Sequence, residues 1–565
     1  MKQVLENSQM KKSIFGFILL VFVFISCEKF MQEGEVSLYD LTDEKSMNQA
    51  LDGMYNRLAR MYQAFYFFQI LKGDDITCQC YENRITGYFH DPPSVNDEGR
   101  FNFDDDLKYE GCRGGRYFSD KDKPFLIWQD IYNTVIQANN IIEKYEKGEL
   151  EHNSNGFVGE AYFVRAYCYY RLVRIFGQAP LVTNIDVSYT LSISKPEKIY
   201  AQIEKDLLKA ISLLPINNSS ARRPFVTPHR GSAKAFLAEV YLTMGGYPVN
   251  DHSKYSLAAK QAREVIDSAD FFGFGLLPDY AEIWNGINNA NMESVFSIYY
   301  NPDYENVRFG TNVDVLYHTY IETLNLNYYY EDKELIVETD FYNNFPKSYR
   351  KDVTYMNHLE GFVFKIDRQY DSITNTRVFD TVGIIYYDHY YDTMNLGDNL
   401  AYLKQNILDN IHERKLPIGE GNALHAVTNY SELVNDKNTS LYVFRYSHVL
   451  LTYAEAKARS GELDASAYEA VNQVRRRANQ ADFFGPSEYD LTAGLNSDQF
   501  IDSVVWERAW EFAGEFEGRW FDLVRLEKVE ELYELRHPDE GGFPTEPVTK
   551  EDYFLEIPEE AMIWF

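Results

Sequence analysis

The stretch EAYFVRAYCYYRLVRIFGQAPLVT, from Glu160 to Thr183, restricts the fold of this chain more than any other. Phe163, Ala166, Tyr167, Tyr170, Val173 and Phe176 recur at three- and four-residue steps and form one face of an α-helix. Tyr162, Tyr169, Leu172 and Ile175 lie on a second side, so the helix is apolar on more than one face and has to pack between neighbours. Gly177 follows the last periodic residue, where a left-handed cap favours glycine, and Pro180 blocks continuation. A helix covered on two sides, with alanines that permit close approach, suits a stack of helices.

The rest of the chain supports that expectation in part. Lys45 to Phe68 is amphipathic, with Met47, Ala50, Leu51, Met54, Tyr55, Leu58 and Met61 in helical period. Trp128 to Tyr145 and Pro196 to Leu214 read as further helices. Arg230 to Ala269 reads as a helix pair that turns at Gly245-Gly246-Tyr247. Its placing of Ala, Tyr and Gly resembles a tetratricopeptide unit. A second pair runs from Val449 to Ser460, turns at Gly461 and resumes from Ala465 to Ala478, so the repeats are interrupted rather than tandem. Between them, roughly Phe271 to Val443, the chain is rich in Tyr, Asn and Asp. Short alternating runs such as Phe362 to Ile366 and Val382 to Tyr387 predict small strand pairs among loops and short helices. Cys78 to Lys123 has no sustained period and reads as long loops, where binding groups concentrate.

With 86 acidic and 55 basic side chains the formal charge is −31, which argues against nucleic acid as a partner. Electrostatic docking on anionic lipid is disfavoured for the same reason. Aromatic residues make up 16% of the chain, with 45 tyrosines. A tyrosine ring offers an apolar face and a hydroxyl, so it serves core and binding surface alike. Consecutive tyrosines such as Tyr328-Tyr329-Tyr330 cannot all face one core.

At the start, Lys11 and Lys12 precede an apolar run from Ile14 to Ile25, then Ser26 and Cys27. A basic region and an apolar segment too short to span a bilayer comfortably make a secretory signal. Cys27 is the candidate lipidation site, with Met10 an alternative initiator to Met1. Cys78, Cys80, Cys112 and Cys168 form no paired zinc pattern. A bridge from Cys78 or Cys80 to Cys112 stays open in an oxidising compartment, and Cys168 reads as a small buried apolar residue.

Ser497 to Phe516 reads as a helix with Ser497 as N-cap. Glu507, Glu511 and Glu515 line one stripe, and Arg508–Glu511, Glu515–Arg519 and Asp522–Arg525 sit at ion-pair spacings. Acids with arginines at such spacings point to a structural ion network rather than to acid–base chemistry. There is no Gly-rich phosphate loop, H-E-x-x-H or G-x-S-x-G. Asp104-Asp105-Asp106 is a candidate calcium site that lacks the twelve-residue loop pattern.

Together these pieces resemble the SusD/RagB family of outer-membrane glycan-uptake lipoproteins. The resemblance rests on the start at Cys27, RAYCYYRLVRIFGQAPLVT from Arg165, AKAFLAEVYLTMGG from Ala233, NMESVFSIYY from Asn291, FRYSHVLLTYAEAKARSG from Phe444, VNQVRRRA from Val471 and ERAWEFAGEFEGRWFDLVRL from Glu507. They occur in order over nearly the whole mature chain. The last segment, FLEIPEEAMIWF, departs from the family pattern at Glu556 and Ala561 and lacks the usual Asn-Pro tail. The resemblance implies a mostly α fold: a right-handed scaffold of tetratricopeptide-like helical pairs with a loop-rich, partly β variable region. It divides the chain into a lipoprotein signal peptide (1–26), a tether (27–44), an N-terminal helical region (45–270), a variable ligand-binding region (271–443) and a C-terminal helical region (444–565).

The same resemblance implies a protein of the Gram-negative outer membrane, lipid-anchored through Cys27 and facing the exterior. It would bind oligosaccharides without catalysis and deliver them to a TonB-dependent barrel, a SusC-like partner, with no cofactor. Alternatives are a surface glycoside hydrolase, a peptide-binding member of the same family, and an adhesin or scaffold with no small ligand. No shared motif assigns the site residues. The candidates are therefore the ring-bearing and cationic residues of the irregular stretches: Arg84, Tyr88, Phe89 and Phe101 early, and Trp284, Tyr304, Tyr317, Tyr329, Tyr390 and Tyr391 in the interruption.

Overall fold

The computed structural model describes residues 41, 43–70, 73–77, 123–150, 154–185, 192–284, 290–299, 336–337, 339–356, 361–365, 370–371, 376–377, 380–385, 412–413, 440–515, 517–534, 548–558 and 561. The helix expected around Glu160 runs Asn155–Phe176 (α3), and every residue from Val158 to Phe176 is buried. It ends as its sequence predicts: Gly177 takes φ 71° and donates its N–H to the Val173 carbonyl. A methyl group at Gly177 would meet the Phe554 ring at 2.9 Å, so packing as well as conformation requires glycine there. The segment carrying Phe554 docks at the same point, with the Leu555 N–H donating to the Ile175 carbonyl at 2.8 Å.

Before α3 come α1 (Glu44–Ile70) and α2 (Lys123–Glu146). After it come α4 (Pro196–Leu213), opened by a proline in its first turn, α5 (Arg230–Met244) and α6 (Lys254–Asp267). Neutral His229 caps α5: its Nδ1 accepts the Gly231 N–H at 3.1 Å, and burial lowers its pKa to about 4. Later come α7 (Tyr349–Thr354), α8 (Tyr446–Arg459), α9 (Ala465–Ala478), α10 (Ser497–Glu511) and α11 (Arg519–Leu526). The N-cap of α10 is Asn496 rather than Ser497. The Asn496 side chain accepts the Gln499 N–H at 2.9 Å, and an extended backbone there places it to do so.

Each scaffold helix packs on the next, α1 on α2, α2 on α3, and so on to α6; α6 then packs on α8, and α8 on α9. The pairs interrupted in sequence are therefore continuous in space, because α8 covers the face that α6 would otherwise leave bare. Phe163 and Tyr167 of α3 set their rings against Phe236 of α5 at 5.5 and 5.8 Å, and Tyr170 does so at 5.2 Å. Burying each such ring is worth roughly 1.5–3 kcal/mol. Cys168 is buried in this core, as expected, and burial raises its thiol pKa.

The excursion between α6 and α8 leaves and returns at one place. Strand β1 (Ser294–Tyr299) pairs antiparallel with β4 (Ser440–Arg445), with Ile298 opposite Leu441 and Ser294 opposite Arg445. Phe296 and Phe444 of this ladder pack on Tyr167 and Phe236, respectively, so both ends are pressed into the solenoid core. The expected strand pair is present as β2 (Gly361–Lys365) antiparallel to β3 (Asp380–Ile385). A two-residue bridge, Ile76–Thr77 with Ile336–Val337, ties the excursion to the stretch after α1. Among the described residues, no helix is long and apolar enough to cross a membrane.

Candidate functional site

The described parts of the excursion close into an aromatic floor. A short 3₁₀ turn, Tyr280–Ile283, is started by Asp279, whose carboxylate accepts the Ala281 N–H at 2.9 Å and the Tyr349 hydroxyl of α7 at 2.6 Å. Leu277, Tyr280, Ile283 and Tyr442 close into one buried cluster with Tyr349 and Val353 against it. Trp284 ends the turn half-buried, its ring edge-on to Tyr280 (6.1 Å) and Tyr442 (5.9 Å). The Arg445 guanidinium lies 5.5 Å from the Trp284 ring centroid. Such a contact orients the indole plane by attraction between cation and ring face.

Arg445 is the centre of a buried charge network. Its Nη1 donates to Glu293 at 2.7 Å and to Glu511 at 2.8 Å, and its Nη2 donates to Glu515 at 2.7 Å. Arg477 bridges the same Glu293 (2.9 Å) and Glu511. Arg350 of α7 sits 2.8 Å from both Glu511 and Glu507, and Arg475 is 2.9 Å from Glu507. Arginines 350, 445, 475 and 477 thus oppose glutamates 293, 507, 511 and 515, and the formal charges cancel. Burial alone would raise the Glu511 carboxyl, but Arg477, Arg445 and Arg350 outweigh it and hold the group well below the usual carboxylate range.

A second network is balanced in the same way. Arg525 grips Glu455 with two bonds of 2.7 Å and Asp522 with one of 2.8 Å. Arg508 binds Asp522 at 2.8 Å and reaches Glu239, while Arg459 also binds Glu455 at 2.7 Å. Against burial, Arg525 and Arg459 bring Glu455 down to about 2. Glu517 accepts Arg171 (2.6 Å), Arg174 (2.5 Å) and the hydroxyls of Tyr62 and Tyr167 (2.7 Å each). Arg519 clasps Asp74 through two nitrogens at 2.5 and 2.9 Å.

The segment Glu507 to Arg525 therefore ties α1, α3, α5, α7, α8, α9 and β4 together through buried charges. Only one of the spacing-predicted pairs forms as expected, Asp522–Arg525 at 2.8 Å. Arg508 goes instead to Asp522, Glu511 and Glu515 go to Arg445, and Arg519 goes to Asp74. These side chains face inward, where arginines from other elements lie closer than the helix's own turn.

This arrangement gives Glu511 and the arginine-bridged acids around it no purchase for acid–base chemistry. A general acid needs a pKa near the working pH, whereas Glu511, Glu517, Glu455 and Asp522 are all held low by guanidinium groups. Burial shifts other acids upward: Glu160 and Asp206 are raised although each is bridged by an arginine, and Asp75, which accepts the Gly514 N–H at 2.8 Å, is raised to about 6. Asp75 is only 4% exposed, so a bulky substrate has no access to it. Among the described residues no cluster of His, Cys, Asp or Glu could hold a metal ion.

Of the candidate ligand residues, only Trp284 falls within the described residues, where it forms part of the floor. Arg84, Tyr88, Phe89, Phe101, Tyr304, Tyr317, Tyr329, Tyr390 and Tyr391 lie outside them, as do Cys27, the cysteines Cys78, Cys80 and Cys112, and Asp104-Asp105-Asp106. Glu293, Arg350, Arg445 and Arg477, which hold the floor to the scaffold, escaped the sequence reading because their partners lie far away along the chain.

Two family models match, in chain order. Residues 96–242 match a SusD-like model described as "Starch-binding associating with outer membrane", and residues 315–555 match the SusD family. The chain belongs to the SusD/RagB family. Relatives agree over most of its length. SusD-like protein P2 of Formosa agariphila is 26% identical over 446 residues, 77% of each chain. A SusD-like protein of Bacteroides ovatus is 23% identical over 417 residues, 70% of this chain and 64% of the relative. Among solved structures, a SusD homolog from Bacteroides thetaiotaomicron aligns with TM-score 0.62 at 22% identity, covering 92% of this chain and 94% of that one. A laminarin-binding SusD-like protein aligns with TM-score 0.57 at 20% identity over 92% and 97%. A structure with a xylogluco-oligosaccharide aligns with TM-score 0.60 at 17% identity over the same shares. This SusD/RagB protein thus has the helical-pair scaffold that its sequence led one to expect.

Proposed function

We propose that this SusD/RagB protein is a non-catalytic receptor, anchored through lipid on Cys27 to the outer membrane of a Gram-negative bacterium and facing the exterior. It binds neutral oligosaccharides with residues 271–443 and the early loops, and hands them to a TonB-dependent barrel. The observation that carries this reading is the mounting of the excursion. Both its ends are paired in β1 and β4, and its floor is locked by a charge-neutral buried network. A rigid base lets aromatic residues meet a ligand with little ordering entropy left to lose. Solved proteins of the same fold bind laminarin and carry a xylogluco-oligosaccharide. Aromatic faces and hydroxyls suit such neutral ligands, and the charge of −31 is no obstacle to them. Glu455, Glu511, Glu517 and Asp522, held low by guanidinium groups, favour this receptor reading over a hydrolase that would act through them.

The test is calorimetric titration of the full chain with laminari- and xylogluco-oligosaccharides, alongside a reducing-end assay of the same mixtures. Binding without new reducing ends is expected, and alanine at paired candidates such as Tyr390 and Tyr391 should weaken it without changing the helical circular dichroism. Release of reducing ends would establish the hydrolase instead. Binding of peptides in place of sugars would assign the chain to the peptide-binding branch. Co-purification of a large barrel protein from detergent distinguishes the transporter partner from a free-standing adhesin.

A further inference from the structure

The loop between α9 and α10 is built in an unusual way. Phe484 at its tip is 77% exposed, and Tyr489 is 37% exposed. The half-buried Phe483 ring lies 4.5 Å from that of Phe484 at an interplanar angle of 49°. An exposed phenyl ring is normally left to a mobile segment, yet this loop is bound on both sides. The Arg476 guanidinium takes Asp490 with bonds of 2.7 and 2.6 Å and, with its remaining nitrogen, the Phe483 carbonyl at 3.1 Å. One buried cation thus closes both ends of a compact loop. Arg475 holds the Tyr489 carbonyl at 2.7 Å, and Asn472 takes the Leu491 N–H at 2.8 Å. At the tip, Asp482 accepts the Phe484 N–H at 3.0 Å.

From this geometry we infer that Phe484, with Phe483 and Tyr489, is a second glycan contact outside residues 271–443 and the early loops, one that takes the ring face of a neutral polysaccharide. The inference rests on the glycan-binding reading above. Its own support is chemical. The rings offer a preorganised apolar face, and the neighbouring side chains Asp482 and Glu488 offer hydrogen-bond acceptors. Both arginines of the neighbourhood already have partners, Arg475 in the loop and at Glu507, Arg476 in the loop and at Glu469. A neutral pyranose meets these features: it brings a C–H face for the rings and hydroxyl donors for the carboxylates, and it carries no negative charge. A contact distant in sequence from the main site also explains what it would add: a long chain can engage both sites and gain avidity, whereas a short oligosaccharide engages one.

The experiment compares the full chain with Phe484→Ala and Phe484→Tyr in native gels containing laminarin or xyloglucan, and by calorimetry with the matching short oligosaccharides. One lost stacking contact predicts about fivefold weaker retention by the polysaccharide for Phe484→Ala. Phe484→Tyr should restore retention, while short-oligosaccharide affinity and melting temperature stay unchanged in both variants. Unchanged retention of Phe484→Ala overturns the inference while leaving the receptor reading intact. So does a loss of barrel co-purification with glycan retention unaltered, which would make the loop a protein-docking surface. A wild-type chain that neither gel retains and no oligosaccharide titrates would fail at the earlier step, the glycan reading itself.

Discussion

Replacing Glu511 by Gln keeps the shape of the side chain and removes one charge from the network under the excursion. In the native protein Glu511 has no exposed side-chain surface and lies 2.8 Å from both Arg350 and Arg445, with Arg477 also bound. At an effective dielectric constant of about 20, each charge pair near 4 Å is worth roughly 4 kcal/mol. Desolvation of the carboxylate offsets several kcal/mol of that sum. What remains decisive is the imbalance: four arginines would face three glutamates, and leaving one buried charge uncompensated costs about 3–5 kcal/mol. Hydrogen exchange of the α10 amides reads this locally, which suits a chain too large for a single two-state unfolding free energy. Protection should fall by about two to three and a half powers of ten. Adding Arg350→Met restores neutrality, with arginines 445, 475 and 477 against glutamates 293, 507 and 515. The double variant should therefore be better protected than Glu511→Gln alone. A loss below about 1 kcal/mol in the single variant, or a double variant that loses the sum of both singles, would refute the argument from charge balance.

Other outcomes follow from the same structure. Asp75 has its folded pKa raised from 3.8 to about 6 by burial, so the folded state favours its protonated form. Its penalty is absent below pH 3.8, grows as pH rises toward 6 and is complete above that, so Asp75→Asn should stabilise the protein at pH 7 by about 1–3 kcal/mol and flatten urea midpoints between those pH values. Gly177→Ala should cost about 2 kcal/mol or more, through a left-handed backbone and the Phe554 ring at 2.9 Å. Limited proteolysis should then cut the terminal segment first. Cys27→Ser should abolish incorporation of radiolabelled fatty acid and release the chain from membranes; labelling that persists would remove Cys27 as the anchor.

The helices were legible because burial on a helical face leaves a periodic trace. The α5–α6 and α8–α9 pairs, the Gly177 cap and the β2–β3 strand pair were all visible in local pattern. The candidate site was legible only as a class of residues, rings on irregular loops, since no period or spacing selects among tyrosines in segments without a repeating face. Trp284 illustrates the limit: its composition-based role as a ligand residue and its place against Tyr280 and Tyr442 are both compatible with the same sequence.

The chain's own order of residues decided where helices start and stop, since caps and periodicity depend on neighbours within a few positions. It also decided the acidic character, which argues against nucleic acid as a partner. Only the tertiary structure decided that α6 continues into α8 across the excursion, and which arginine meets which carboxylate. A buried charge takes the partner nearest in space, and for Glu293, Glu511 and Arg519 that partner is set by the packing of whole helices rather than by any separation along the chain.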